Sequence, residues 1–281
     1  MSTPPEYQIR PPDKFSFNFK ELWQYRELFY FFTWRDIKVK YKQTVFGFLW
    51  AILQPLAIML VFTFFFARTL NIPTDGIPAP VFYYSGLLLW NFFSSGLSGA
   101  GNSMVNNAHI IKKIYFPRLI IPISSIIVAL FDLLMALTIY LILIFYYDLT
   151  KSDFSLSYFM LFSTSVAAIL LTILSLCGAG MFLAALNVQF RDFRYIIPFL
   201  IQFLFFITPV IYSTTIFSEI PHFQYIMAVN PMTGAIELAR SAFTQQLDWM
   251  TVTISTFSAV VFMGVGIYTF RKMEAYFADI A

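Results

Sequence analysis

The chain has 281 residues, of which 59% are hydrophobic and only 12% are Asp, Glu, Lys or Arg. A soluble domain carries roughly 25% charged residues, so this composition excludes an ordinary soluble protein and indicates a membrane protein. The single cysteine, Cys177, excludes an intrachain disulfide. Because the net charge is only +3, the distribution of charge along the chain is more informative than its sum.

The first predicted element is an amphipathic helix before the first long apolar run. Asn18 and Glu21 have the spacing of a capping box. Apolar residues then recur every three or four positions, at Leu22, Tyr25, Phe29 and Phe32. This pattern predicts a helix that lies in the membrane interface and does not cross the bilayer.

Six runs are apolar enough and long enough, at about 20 residues, to cross a bilayer as helices. They are residues 47–70, 81–101, 119–147, 156–186, 195–213 and 250–270. None has the alternating pattern of a membrane β-strand, so an all-α protein is predicted. Between the last two runs, Asn230 and Pro231 predict a helix start. The segment from there to Gln246 is too short to span, which makes it a candidate re-entrant piece.

The basic residues predict the orientation. With six spans, fifteen of the 18 Lys and Arg residues fall on one side, and only Arg68, Lys151 and Arg240 fall on the other. The positive-inside rule then puts both termini in the cytoplasm. The chain divides into a cytoplasmic segment with the interfacial helix (1–46), a six-span domain (47–270) and a cytoplasmic tail (271–281).

The sequence offers no support for an enzyme. The GxxxxGK[ST] loop that cradles nucleotide phosphates does not occur, so this chain is not an ATPase of that kind. The two histidines, His109 and His222, fall on opposite sides of the predicted bilayer and so cannot share a metal. No catalytic residue and no metal site is predicted. Asp132, near the middle of the third run, is either functional or hydrogen-bonded to a Ser, Thr or Tyr of a neighbouring helix, since no basic residue is expected at its depth.

Four stretches together resemble one family. They are WRDIKVKYKQTVFGFLWAILQPLAIMLVF (34–62), IIKKIYFPRLIIPIS (110–124), LNVQFRDFRYIIPFLIQFLFFITPVIYS (186–213) and NPMTGAIELARSAF (230–243). The chain resembles the permease subunits of ABC exporters for polysaccharides and polyol phosphates, which export O-antigen, capsule or teichoic acid. The resemblance covers about residues 19–270.

The resemblance implies an architecture. It predicts a homodimer in the bacterial cytoplasmic (inner) membrane, with two separate ATPase subunits that bind ATP and Mg²⁺; no cofactor is expected in this chain. Residues 23–34 would be the interfacial helix, and 217–246 would hold re-entrant gate helices. The residues expected to couple to the ATPase are His109, Ile110, Ile111, Lys112, Lys113, Ile114 and Tyr115. The expected external gate contains Asn230, Pro231, Glu237 and Arg240.

The expected substrate is a glycan linked to a polyprenyl diphosphate in the membrane. Aromatic rings tolerate many sugars, so Phe62, Phe66, Tyr83, Tyr84 and Trp90 are predicted to line its path; the alternative is that they face lipid or another helix. The predicted receivers of the diphosphate head are Arg35, Lys38, Lys40, Lys42 and Arg191. The rival explanation for these cations is anchoring of the cytoplasmic end, and Arg191 has the further alternative of capping the end of span four.

Other functions stay open. Efflux of a small hydrophobic drug by an ABC permease is the first alternative. An ion-driven carrier is a weaker one, because several intramembrane carboxylates and inverted repeats would be expected. A membrane-embedded transferase would need clustered histidines or carboxylates, which are missing. No nucleic-acid partner is expected. The sequence does not distinguish O-antigen from capsule or teichoic acid.

Overall fold

The computed structural model describes residues 23–42, 47, 49–114, 116–150, 157–217, 220, 222–274 and 277. Over these residues the protein consists of helices and connecting turns, without a β-strand. The long helices are α1 (Arg26–Lys42), α2 (Leu49–Thr69), α3 (Ala79–Asn106), α5 (Ile120–Thr150), α6 (Tyr158–Gln189), α7 (Phe193–Ile207), α9 (Pro231–Thr244) and α10 (Trp249–Glu274). The short helices are α4 (Ala108–Ile111) and α8 (Phe223–Met227), with a 3₁₀ turn at Thr214–Phe217.

Four of the described helices are long and apolar enough to cross a membrane: α2, α5, α6 and α10. They correspond to the first, third, fourth and sixth predicted runs. The second run forms the 28-residue helix α3, whose hydropathy is lowered by Ser, Asn and Gly residues. The fifth run forms α7, which has 15 residues and ends at Ile207. It stops before residue 213 because Thr208 precedes Pro209, and a residue before proline favours the extended backbone found at Thr208.

α3 is the central helix of the bundle. It packs against α5 and α6, and more lightly against α2 and α7, while α6 also packs against α9 and α10. Phe82, Tyr83 and Tyr84 are fully buried. Burial on this scale explains why α3 tolerates polar residues: its surroundings are other helices, where small and polar side chains assist packing.

One end of the bundle gathers the ends of several helices and most of the described basic residues, and we call it the basic end. Asn187 at the end of α6 donates from Nδ2 to the carbonyl oxygen of Gly101 on α3, at 2.8 Å. Arg118, just before α5, hydrogen-bonds through Nη1 to the backbone of Glu274 in α10. Phe32 of α1 packs on Phe116 with ring centroids 5.7 Å apart. The ends of α3, α6 and α10 and the start of α5 therefore meet here.

α1 confirms part of the sequence prediction and extends it. Phe32 is buried, and Tyr25 and Phe29 are partly buried against the same apolar cluster, as the three- and four-residue spacing predicts. The helix does not end near residue 34 but continues to Lys42. It packs along α5. The predicted cations Arg35, Lys38, Lys40 and Lys42 therefore lie on a helix that contacts the bundle. Asn18 and Glu21 lie outside the described residues.

α6 and α10 cross in close contact at two glycines. A Cβ atom at Gly266 would lie 2.1 Å from the carbonyl oxygen of Gly178, a distance that real atoms do not adopt. Around Gly264, two residues earlier on α10, there is no atom within 4 Å of such a Cβ. The crossing therefore needs glycine at one position of α10 and not at the other.

Gly266→Ala should destabilise the protein, because the added methyl group forces α6 and α10 apart. Overpacking of this kind costs about 1–3 kcal/mol. Gly264→Ala is the matched control and should be neutral. Thermal unfolding of both variants in detergent tests this, and equal melting temperatures would contradict the described crossing.

Candidate functional site

A cavity of about 460 Å³, lined by charged and polar side chains together with apolar surface, opens between α1, α3 and α5. It contains two of the predicted cations, Arg35 and Lys40, together with Asp36 and Asp132. The α3 wall is polar and small, and consists of Ser95, Gly99, Ser103, Asn106 and Asn107. The cavity therefore offers both hydrogen-bond donors and acceptors next to ionic groups, which suits a ligand with charged and hydroxyl groups.

Arg35 is held by three neighbours. Its Nε donates to Asp36 Oδ1 at 2.8 Å, and its Nη2 donates to Asn107 Oδ1 at 2.7 Å. The guanidinium carbon lies 5.0 Å from the centroid of the Phe32 ring, within reach of a cation–π interaction. Asn107 is itself fixed by a hydrogen bond from Nδ2 to the Ser103 carbonyl oxygen at 2.9 Å. Arg35 therefore joins the end of α3 to α1.

Lys40 and Tyr41 both bind Asp132. The Lys40 ammonium forms an ion pair with Oδ2, and the Tyr41 hydroxyl donates to Oδ1. Burial and then the hydrogen bond to Asp132 raise the pKa of the Tyr41 hydroxyl, so the group stays protonated and remains a donor. The alternative that Asp132 is hydrogen-bonded to a Ser, Thr or Tyr of a neighbouring helix is confirmed by Tyr41, but the expectation that no basic residue reaches its depth is wrong. The reason is the longer α1, which carries Lys40 along α5.

The other predicted cations lie apart from this pair. Lys38 stacks over the Trp34 ring at 5.3 Å, and Lys42 is exposed at the last residue of α1. Arg191 lines a separate cavity of about 410 Å³ with Arg194 and Tyr195. Within one chain the structure therefore brings together Arg35 and Lys40, and leaves Arg191 elsewhere. A role for all five cations at the substrate head group stays a prediction.

The predicted coupling segment contains α4 and the turn after it. Its two central isoleucines differ in environment: Ile111 is 5% exposed within the apolar cluster at the basic end, whereas Ile114 is 61% exposed. Ile114 also borders an apolar groove with Tyr30 and Phe31 of α1. Ile114 is thus available to a partner, and Ile111 belongs to the core. Tyr115 lies outside the described residues.

Four of the five predicted channel aromatics, Phe62, Phe66, Tyr83 and Trp90, form one cluster between α2, α3 and α7. Phe62 packs on Phe66 and Tyr83, with centroid distances of 5.2 and 6.0 Å, and Trp90 packs on Phe205 at 5.5 Å. Tyr84 lies on another side of α3 and donates to the Ala136 carbonyl oxygen at 3.0 Å. In the single chain, Tyr83, Tyr84 and Trp90 are buried packing residues. That they line a glycan path stays a prediction.

The predicted gate residues organise the opposite end of the bundle. Asn230 caps α9 by accepting from the Met232 amide at 3.1 Å, and Pro231 is the first helical residue, as the sequence predicts. Glu237 accepts from the Thr214 hydroxyl at 3.2 Å. Asp75, in the turn before α3, accepts from the hydroxyls of Ser213 and Thr215. These bonds tie the segment after α7 to α9 and to the start of α3.

Arg240 is the central contact of this end. It is 4% exposed, yet its guanidinium meets backbone carbonyl groups in place of a carboxylate. Nη1 donates to Pro209 and Tyr212, at 2.8 and 3.2 Å, and Nη2 donates to Val210 at 2.9 Å. Its carbon lies 3.6 Å from the Phe82 ring centroid. The side chain therefore holds the turn after α7 against the start of α3.

Comparison with known proteins identifies the family. The sequence profile described as ABC-2 type transporter matches residues 27–244. This range includes the contacts of Arg35 and Lys40 at one end of the bundle and those of Arg240 at the other. The chain belongs to the ABC-2 type transporter family. It is a multi-pass membrane protein, since four described helices are long and apolar enough to span.

Several bacterial proteins are similar to this chain over most of their length. The O-antigen export system permease protein RfbA of Klebsiella pneumoniae is 29% identical over 247 residues, 88% of this chain and 92% of the relative. The protein of the same name from Myxococcus xanthus is 30% identical over 80% of this chain and 83% of its own. The polysialic acid transport protein KpsM of Escherichia coli is 26% identical over 85% and 91%.

Sequence reasoning missed several residues of this ABC-2 transporter. Tyr41 and Asn107, which fix Asp132 and Arg35, were not predicted to have a role. The sequence prediction treats the polar wall of α3 only as part of a span. A signal was present, because small or polar residues recur every three or four positions along this face, at Asn91, Ser95, Gly99, Ser103 and Asn106.

Replacing Arg240 by lysine should loosen the end of the transporter that holds α9. A lysine keeps the charge but has a single ammonium group, which cannot reach all the carbonyl oxygens that the two guanidinium nitrogens bind. Leaving buried carbonyl groups without donors costs about 1–3 kcal/mol each. Thermal unfolding should show a lower melting temperature for Arg240→Lys than for the wild type. The melting temperature of Arg68→Lys should not change, because Arg68 is exposed. Identical melting of the two variants would contradict the described role.

Proposed function

We propose that the chain is the membrane subunit of an ATP-driven exporter that moves a lipid-linked O-antigen polysaccharide out of the bacterial cytoplasm. The observation that carries this proposal is the similarity to two O-antigen export permeases over at least 80% of both chains. The cavity beside α3 supports it, because a glycan carrier needs hydroxyl-binding groups within an apolar bundle. The family implies an ABC ATPase as partner.

The proposed topology has six spans: α2, α3, α5, α6, α7 and α10. α3 at 28 residues is longer than a bilayer requires, and its polar residues are compatible with a span because they face neighbouring helices. α7 is short at 15 residues, about 22 Å, and it would cross together with the turn that Arg240 holds. α8 and α9 would be re-entrant. The basic end would be cytoplasmic, in the inner membrane, by the positive-inside rule.

In this proposal two copies of the chain pair in the membrane, and each binds an ATPase subunit at the basic end. ATP and Mg²⁺ would be bound by the ATPase. The contact would be made by the turn that contains Lys112, Lys113 and Ile114. Support comes from the exposure of Ile114 beside an apolar groove, a surface that a partner protein would cover.

The proposed head-group site lies at α1. A polyprenyl diphosphate in the inner leaflet would present its phosphates to Arg35, Lys38, Lys40 and Lys42, with Arg191 reached from the next loop. Clusters of this size beside a span attract anionic head groups, at about 1 kcal/mol per cation. Arg35 is the residue best suited to grip a phosphate, because a guanidinium binds two oxygens at once.

Ile114→Asp should uncouple ATP hydrolysis from export, because a carboxylate would be buried against the ATPase. Insertion and melting temperature should not change, since Ile114 is exposed. Ile220→Asp is the matched control, because Ile220 is 52% exposed after α7, far along the chain from the coupling turn. Ile111→Asp is unsuitable, as it would disrupt the core. Normal export by Ile114→Asp, or purification of an active transporter without any ATPase, would contradict the contact.

Arg35→Lys and Arg35→Gln separate head-group binding from anchoring. Lysine keeps the charge and hence the topology, but loses two-point binding, so substrate-stimulated ATP hydrolysis should need about tenfold more substrate, equivalent to about 1.4 kcal/mol. Arg35→Gln should be impaired at least as strongly. Arg26→Lys and Arg26→Gln, on the same helix, serve as controls. If both Arg35 variants export like the wild type and protease mapping shows correct topology, Arg35 is an anchor only.

A further inference from the structure

A second cavity, which combines polar side chains with apolar surface, adjoins the first one farther along α3. It has a volume of about 310 Å³ and lies between α2, α3 and α5. Its polar lining includes Gln54, Asn91 and Ser94. From Asn106 in the first cavity to Asn91 in the second is about 22 Å along the helix axis. The two cavities together therefore follow α3 over most of a bilayer thickness.

The partition between the cavities is the Lys40–Asp132 contact. Both cavities are bordered by Lys40, Asp132 and Ser95, and other lining residues belong to one cavity alone. Asp132 is bound from α1 by Lys40 and Tyr41 together, so the end of α1 bridges to the middle of α5. If this bridge opens, the cavities join into one passage along α3.

The contact is built so that an anion can open it. The Lys40 side chain is 45% exposed, compared with 17% for Asp132, so an incoming ligand reaches the ammonium group first. A diphosphate carries more negative charge than one carboxylate and competes for Lys40 accordingly. Asp132 would keep the Tyr41 hydroxyl as a partner after losing Lys40, which lowers the cost of release. Arg35, by contrast, is fixed by both Asp36 and Asn107.

We propose that Asp132 is the internal counter-ion of Lys40, and that the diphosphate head of the lipid substrate displaces it and joins the two cavities. This inference rests on the proposed function. It assigns Asp132 and Tyr41 a role in regulating access, in addition to binding by the cations. It also explains why an acidic residue stands in the middle of an apolar span, where an unpaired charge is costly.

Cysteine labelling tests the partition in the full chain with its ATPase in vesicles. With Cys177→Ala as background, Asn106→Cys reports the first cavity and Asn91→Cys reports the second. A charged methanethiosulfonate reagent is added at the basic end. Asp132→Asn should raise the labelling rate at Asn91→Cys about tenfold, equivalent to about 1.4 kcal/mol in the opening equilibrium, with Asn106→Cys unchanged. The double variant Lys40→Asp with Asp132→Lys should restore slow labelling. Equal rates with and without Asp132→Asn, or fast labelling in the double variant, would overturn the partition.

Farnesyl diphosphate tests the displacement. It should accelerate labelling of Asn91→Cys, whereas farnesol should not, and Lys40→Met should abolish the effect. No response to farnesyl diphosphate, or an equal response to farnesol, would overturn the proposal. The same response to inorganic pyrophosphate at equal concentration would assign the site to a free anion and overturn the lipid part. Surface O-antigen is measured separately in cells that carry or lack the chain. This measurement distinguishes a failure of the proposed displacement at Lys40 and Asp132 from a failure of the proposed export function.

Discussion

Polar groups within an apolar bundle have to find partners in the protein, because lipid offers none. In the described residues this constraint decides where the helices meet. Arg240 donates to the backbone of the turn after α7, and Asn187 donates to the backbone of α3. Lys40 and Tyr41 serve both oxygens of Asp132. Each of these contacts joins elements that are distant in sequence. A small number of polar residues therefore determines how the apolar helices pack against one another.

The two ends of the bundle use this constraint differently. At the Arg240 end the guanidinium is buried and its hydrogen bonds go to backbone oxygens, an arrangement that favours a fixed structure. At α1 the charges are partly exposed and paired with side chains, which can exchange one ionic partner for another. Under the proposed function, the exporter has to hold its outer elements in place while it admits an anionic lipid, and the two kinds of contact would suit those two tasks.

The sequence predicted the helical class, the apolar runs and the start of α9, since these depend on local composition and on Asn230 and Pro231 alone. It could not predict the basic partner of Asp132, because Lys40 and Asp132 are far apart in sequence and meet only through the packing of α1 on α5. For the same reason Ile111 and Ile114 looked equivalent in sequence, although one is buried and the other exposed. The polar repeat in α3 is present in the sequence. The run that contains it is nevertheless long and apolar enough for a membrane span, so the sequence prediction gave the repeat no separate role.

Under the proposed function, this chain carries a lipid-linked O-antigen across the membrane when its ATPase hydrolyses ATP. The most direct measurement reconstitutes the chain and its ATPase in vesicles with fluorescent polyprenyl-diphosphate-linked O-antigen, and follows the appearance of the glycan on the far side of the bilayer. Transfer should require ATP and should stop when the chain is omitted or when the lipid lacks its diphosphate. Transfer at the same rate without the chain, or without ATP, would contradict the account.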